Sequence, residues 1–250
     1  MKTIIVLFIS LVTVVFAQAA EIASFQKGND AYLKNNFSDA IKSYQELVND
    51  GYQSSEIYFN LGNAYYKSDS LASAILYYEK AKKLNPADED IIVNLRLANL
   101  KTIDKTDAKE ELIFKSWWDK FLNSRTADGW GILCIVSLFI AFVLLTIFRI
   151  SVSSTRKQIL FIGFSLFLVC SLSFFLLAKL NYTHQTETGQ AILFSSSATI
   201  KSAPTENSKD LFVIHEGAKV NIIEKNNSWF RIRLDNGNEG WITESSVKII

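Results

Sequence analysis

The chain has 250 residues, 26 of them basic and 25 acidic, for a net charge of +1. That length allows two small domains beside any membrane element, and the balanced charge, without a polybasic block, excludes an electrostatic footprint for nucleic acid. The two cysteines, Cys134 and Cys170, both lie in apolar stretches, which excludes a disulfide framework, and no CxxC or Cys/His cluster suggests a metal site.

At the N-terminus stand Lys2, an apolar run over 4–16 and the small-x-small triplet Ala17-Gln18-Ala19. This is the pattern of a secretory signal over 1–19. The competing reading, an uncleaved anchor, is disfavoured by the short run and the small residues that follow it at once.

Residues 20–107 carry an internal period of 34 residues: Gly28-Asn29 recurs as Gly62-Asn63, Ala40-Ile41 as Ala74-Ile75, and Tyr44 as Tyr78. A period of this length marks stacked helix-turn-helix units. In the second copy Tyr58, Leu61 and Tyr65 form one apolar stripe, Gly62 and Ala74 are small where two helices approach closely, and Pro86 stops the second helix. This copy resembles a tetratricopeptide repeat. The first copy departs from the pattern at Ser24 and Lys27, as a solvent-facing end unit would. Asp88 is placed to cap a third helix, in which Ile92, Leu95 and Asn99 continue the pattern. Two repeats and a capping helix are fewer than such arrays usually need alone, so the array is expected to lean on a partner, on itself or on the membrane surface. The resemblance implies a concave groove for a peptide or partner helix. One variant of the family grips a C-terminal carboxylate with two asparagines and three basic residues. Asn29 and Asn60 stand at the asparagine positions, but Phe25, Asp90 and Asn94 fill the basic ones. Asn29 and Asn60 are therefore candidate groove contacts without a carboxylate clamp, the competing reading being hydrogen bonding within the helix pair.

In residues 108–128, Trp117, Trp118, Phe121 and Leu122 alternate with Lys115, Asp119 and Lys120. This composition suits a helix at a membrane interface or one packed on the end of the repeats. Two stretches without any Asp, Glu, Lys or Arg follow, Trp130 to Phe148 and Gln158 to Ala178. Each has about the length needed to cross ~30 Å of hydrocarbon. They read as a transmembrane hairpin, 129–149 and 158–179, with a loop at 150–157 and a linker at 180–188. Arg149, Arg156 and Lys157 flank or occupy the turn, which the positive-inside rule places in the cytoplasm. With a cleaved signal, both soluble parts then face the periplasm of a bacterial inner membrane. Neither span holds an ionisable group, so a transport path or proton relay is disfavoured.

From 189 to 250 the apolar period becomes two. Val220, Ile222, Phe230, Ile232 and Leu234 alternate with polar residues, and Asp235-Asn236-Gly237 is a hairpin turn signal. Glu216-Gly217, Ser228-Trp229-Phe230 and Gly240-Trp241-Ile242 follow at spacings that resemble a bacterial SH3 domain, a small all-β barrel. The resemblance implies binding of cell-wall peptides or partner proteins. Trp229 and Trp241 are the candidate ligand residues, and packing of their rings is the alternative. His184 and His215 have no Asp, Ser or Cys at motif spacing and are expected to be solvated. No phosphate loop or nucleophile elbow appears, so no enzyme activity and no cofactor are expected.

The expected fold class is thus multi-domain: an all-α tetratricopeptide repeat solenoid, a two-helix transmembrane hairpin and an all-β SH3-like barrel. This order resembles the BatE-type proteins of the Bacteroides aerotolerance group. The resemblance implies an envelope complex that includes membrane-anchored von Willebrand factor A domain proteins. The leading expectation is a non-catalytic scaffold for envelope proteins. The alternative is a wall-binding sensor, or an accessory to a peptidoglycan hydrolase, that acts through the barrel.

Overall fold

The 34-residue period becomes a stack of antiparallel helices in the structure, a computed structural model that describes residues 22–104, 117–118, 121–186 and 189–250, without the side chains of 184–186. The expected signal over 1–19, the stretch 105–116 and the His184 side chain lie outside the described residues. Helix α1 covers 22–33, α2 Phe37–Asn49, α3 Ser55–Lys67, α4 Leu71–Leu84 and α5 Glu89–Asn99. Side-chain caps start three of them: Asn36 accepts from the Asp39 amide, Ser54 from Ile57, and Asp88 from Asp90 and Ile91. Each satisfies amides that the first helical turn leaves without partners. The turn inside each repeat uses one left-handed residue, Asn35 (φ 58°) and Asp69 (φ 54°), again 34 positions apart. Asn and Asp tolerate that conformation better than most residues.

Glycine sets the spacing within each helix pair. A Cβ on Gly28 would lie 2.5 Å from the Tyr44 ring, and one on Gly62 would lie 2.7 Å from Tyr78. The tyrosine of the second helix therefore presses on the bare backbone of the first, and Ala40 and Ala74 are fully buried beside it. In α5 Leu95 is buried as expected, but Ile91 and Ala98, not Ile92 and Asn99, complete the buried stripe. With no following repeat to cover it, α5 turns a single face inward, and Ile91, Leu95 and Ala98 lie on it at i, i+4 and i+7.

Seven antiparallel strands form the barrel: β1 Gln190–Leu193, β2 Ser197–Lys201, β3 Asp210–His215, β4 Lys219–Asn226, β5 Trp229–Arg233, β6 Glu239–Thr243 and β7 Val247–Ile249. Their order is β3-β2-β6-β5-β4-β1-β7. Phe230, Ile232, Val220 and Ile242 meet in its core. The Asp235-Asn236-Gly237 turn forms as expected, with Gly237 at φ 90° and its amide bonded to the Leu234 carbonyl at 2.8 Å. A Cβ on Gly240 would meet the Lys201 carbonyl at 2.9 Å, so glycine lets β2 cross β6.

Strand β1 is buried on both faces. Ala191 and Leu193 join the barrel core, while Ile192 points the other way, among Ala72, Ile75, Leu76, Leu95 and Ala98 of the repeats. Ile250 joins that second cluster. The turn before β4 completes the seam: a Cβ on Gly217 (φ 85°) would lie 2.9 Å from Thr102 Cγ2 and 3.1 Å from Ile75 Cδ1. Lys219 Nζ donates to Glu79 Oε2 at 2.9 Å, and Glu79 is only 7% exposed. His215, at the end of β3, is not the solvated side chain expected. It is half-buried, with Nδ1 at 3.1 Å from Asp104 Oδ1, and its backbone amide donates to the same carboxylate. Repeats and barrel thus form one compact unit although the hairpin separates them in sequence. The array leans on the barrel, whose β1 covers the last helices where a further repeat would stack.

The second unit is a helical hairpin, α6 Ala127–Ile150 and α7 Ser154–Thr186. Both helices are long and apolar enough to cross a membrane. They run beyond the expected spans: the turn is only residues 151–153, and the expected linker is helical to Thr186. Helical backbone satisfies its own hydrogen bonds, so nothing forces it to stop where the apolar run ends. Ser137, Ala141 and Ser171 are buried between the helices, and Ser171 Oγ donates to the Cys134 carbonyl at 3.1 Å. Small residues allow such close approach. Ahead of α6, Leu122 is buried and its carbonyl accepts from Trp130 Nε1 (3.0 Å) and Asn181 Nδ2 (3.2 Å). Phe121 packs on Trp130, which stacks on Phe174. The end of the aromatic stretch is therefore part of the hairpin's own packing.

Candidate functional site

The repeats enclose a groove of about 340 Å³ lined by Gln26, Asn29, Tyr32, Leu33, Tyr44, Asn60 and Asn63. It arises from the period itself. Helices α1, α3 and α5 offer residues to the same wall, so positions 34 apart line up along it. Gln26, Asn60 and Asn94 occupy one row, and Asn29 and Asn63 the next.

Both sequence-predicted asparagines sit in this groove, and they are bonded to each other. Asn29 Oδ1 accepts from Tyr44 Oη at 2.7 Å and from Asn60 Nδ2 at 3.2 Å. One repeat later the arrangement returns: Asn63 Oδ1 accepts from Tyr78 Oη at 2.7 Å and from Asn94 Nδ2 at 3.4 Å. Groove lining and hydrogen bonding between helices are therefore both true of Asn29 and Asn60. Gln26, Tyr32, Leu33 and Asn63 were not among the expected groove residues. For Gln26 and Asn63 the signal was present in the spacing of carboxamides, which repeats with the glycines.

Among the described residues, no Lys, Arg, Asp or Glu lines the groove. A carboxylate brought there would lose its water without gaining a cation, which is costly. Leu33, 78% exposed at the rim, is the largest apolar contact on offer.

The tyrosines beneath the amides are tuned by burial, which pushes the Tyr44 phenol up to about 12, with repulsion from Tyr32 adding to it. Tyr78 moves in the same direction for the same first cause. A raised folded-state value favours the neutral phenol, so the fold keeps its full stability below the ordinary value of 10.0 and loses it as pH rises toward about 12. Alkaline titration followed by tyrosinate absorbance and circular dichroism should show loss of helix in that window. Tyr44→Phe should remove the Tyr44 contribution there, while costing ~1 kcal/mol at neutral pH through the lost hydrogen bond.

On the barrel, Trp229 and Trp241 lie on the face opposite the core, both half-buried. Arg231 pairs across the strands with Trp241, and Trp229 pairs with Thr243, so the two indoles are diagonal neighbours on one face. Beside them Glu239 accepts from Arg233 Nε at 2.6 Å and Arg231 Nη2 at 3.0 Å. The Arg233 hydrogen bond is the first cause that holds its carboxyl below the usual range. The face thus offers two partly open indoles beside two arginines that are paired with Glu239 and, for Arg231, also Glu224.

Comparison with known families matches the two soluble parts separately. The tetratricopeptide repeat family model matches residues 25–89, and the bacterial SH3 domain family model matches residues 196–248. No curated protein matches the chain. Both matched modules are binding modules: the first implies protein partners, and the second suggests binding to peptidoglycan. The chain therefore joins a tetratricopeptide repeat segment, two helices long and apolar enough to span a membrane, and a bacterial SH3-like barrel.

Proposed function

We propose that the protein is a non-catalytic scaffold, anchored by its hairpin in a bacterial inner membrane, whose repeats hold a partner protein in the periplasm. The observation that carries this reading is the uncharged, amide-lined groove over Asn29 and Asn60, in an array whose other end is closed by the barrel. The groove is open while the array around it is stabilised within the chain. Likeness of the domain order to the BatE-type proteins supports a place in an envelope complex linked to aerotolerance or stress, with membrane-anchored von Willebrand factor A domain proteins as partners. In this reading residues 1–19 are a cleaved signal and the short turn at 151–153 faces the cytoplasm.

The test is in-cell photocrosslinking from position 33 in the groove, with position 223 on the barrel as a second probe site. The scaffold reading expects a defined envelope protein crosslinked from position 33 and lost in Asn60→Leu. Crosslinks from position 33 only to lipid or to nothing would count against it.

A second reading has its own observation, the Trp229–Trp241 face beside Arg231 and Arg233. It makes the protein a wall-binding sensor or a hydrolase accessory. Sedimentation of the full-length protein with purified peptidoglycan, abolished by Trp229→Ala with Trp241→Ala, would favour it over the scaffold.

A further inference from the structure

Helix α5 ends the helical array, and the end helix of such an array normally turns a polar outer face to water. This one does not. Val93, Leu97 and the C-cap residue Leu100 stand at i, i+4 and i+7, and they are 49%, 46% and 64% exposed. Ile103, 71% exposed, follows them. The 34-residue period shows the departure. Leu97 stands in the row of Asn29 and Asn63, and Leu100 in the row of Tyr32 and Tyr66. Carboxamide and phenol have given way to leucine on the helix with no repeat after it. Among the described residues of the repeat and barrel unit, no other four exposed large apolar side chains lie so close in the chain.

The charge beside this stripe has one sign. The acids of α5, Glu89 and Asp90, are confined to its first turn. Arg96, exposed, falls to one side of the stripe by the ~100° step of a helix. Lys101 follows Leu100 and lies over the Tyr66 ring at 4.1 Å. Asp104 is already engaged by His215. An apolar stripe flanked by cations is the composition that seats a helix on an anionic bilayer. Connection keeps the unit near one. Only residues 187–189 separate α7 from β1, a span of at most about 15 Å. The eight helical residues after Ala178 add about 12 Å. Both together fall short of the ~35 Å breadth of a packed unit of this size, so some face of the unit stays close to the bilayer that the hairpin crosses.

We infer, resting on the reading of the hairpin as membrane-spanning, that α5 docks on the surface of the same bilayer: Val93, Leu97, Leu100 and Ile103 enter the headgroup and acyl boundary, and Arg96 and Lys101 bind anionic lipid phosphates. A protein held by the repeats is thereby held beside the membrane.

The test reads nitroxide spin labels on the full-length protein in nanodiscs of phosphatidylethanolamine and phosphatidylglycerol. Cys134→Ala with Cys170→Ala clears the native thiols, and single cysteines are placed as Leu97→Cys, Phe139→Cys and Ile223→Cys. Oxygen, which concentrates in hydrocarbon, and a water-soluble nickel chelate are compared as relaxation agents. Position 97 should show the lipid signature, oxygen above nickel, as should position 139 on α6, while position 223 on the barrel shows the reverse. Exchange into neutral phosphatidylcholine should lower the ratio of docked to free α5 about fivefold for each of the two cations. Arg96→Glu with Lys101→Glu should open position 97 to nickel in the anionic discs. Nickel reaching position 97 without those changes, while position 139 keeps its lipid signature, overturns the docking and leaves the anchor. A label at position 97 shielded from both agents puts protein on the stripe and overturns lipid as its occupant. A lipid signature there that survives both the neutral lipid and the charge reversal overturns the role of the cations. Nickel reaching position 139 removes the hairpin reading, and the inference falls with it.

Discussion

Lys219→Met will destabilise the protein by on the order of 3 kcal/mol, more than a surface charge change should. The reason is the carboxylate left behind. Glu79 stands on α4, 7% exposed, and Lys219 is its ion-pair partner at 2.9 Å. Removing the lysine strands a buried charge, whereas removing both charges leaves only apolar volume to repack. Lys219→Met with Glu79→Leu should therefore recover most of the loss. Lys219 is itself 27% exposed, which keeps the effect toward the lower end for buried pairs. Denaturant melts of the full-length protein in micelles measure both variants, and hydrogen exchange locates the change. Protection should fall together in α4 and β4, because one pair joins them. A single mutant no weaker than the double one would show that Glu79 has another source of compensation.

Gly62→Val will disrupt the second repeat by roughly 3 kcal/mol or more, the upper range for overpacking a close-packed core. Even Ala is informative here. In an exposed helix interior Gly→Ala gains about 1 kcal/mol, so a loss with Ala would reverse the usual sign. The Cβ would sit 2.7 Å from the Tyr78 ring, which is 1% exposed and tied by its hydroxyl to Asn63. The ring can move aside only by breaking that bond and opening the groove wall. Thermal melts should show Ala below wild type and Val below Ala. Gly62→Ala with Tyr78→Leu should regain stability, and a stabilised Gly62→Ala would contradict the close approach.

Local signals in the sequence announced the elements that depend on local spacing. Gly28, Gly62, Ala40 and Ala74 revealed the helix pairs, because a 34-residue period leaves its trace whatever the chain packs against. Asp235-Asn236-Gly237 and Gly240-Trp241 did the same for the barrel. Asn29 and Asn60 were found in the groove, although only likeness to a carboxylate clamp had drawn attention to them. Their tyrosine partner follows from the period, once Tyr44 and Tyr78 are set beside Asn29 and Asn63.

The seam between repeats and barrel was not legible. Ala191-Ile192-Leu193 reads only as a short apolar run, and nothing local says that Ile192 belongs to a core more than ninety positions earlier in the chain. Glu79 and Lys219 are ordinary surface residues until the fold brings them together, as are Asp104 and His215. The same gap explains the misplaced stripe of α5. Its buried face is chosen by its two neighbours, α4 and the barrel, rather than by repeat register alone.

The shared core also bears on topology. A repeat segment and a barrel that bury Ile192 and Ile250 among α4 and α5 must lie on one side of any membrane that the intervening hairpin crosses. The measurement that tests this most directly is zero-length carbodiimide crosslinking of the full-length protein in sealed membrane vesicles, read by mass spectrometry. The account predicts an amide between Glu79 and Lys219 within one chain, abolished by Lys219→Met and absent between isotopically distinct copies. A protein that crosslinks elsewhere but never between these two residues, or only between copies, would contradict the claim that repeats and barrel fold as one unit.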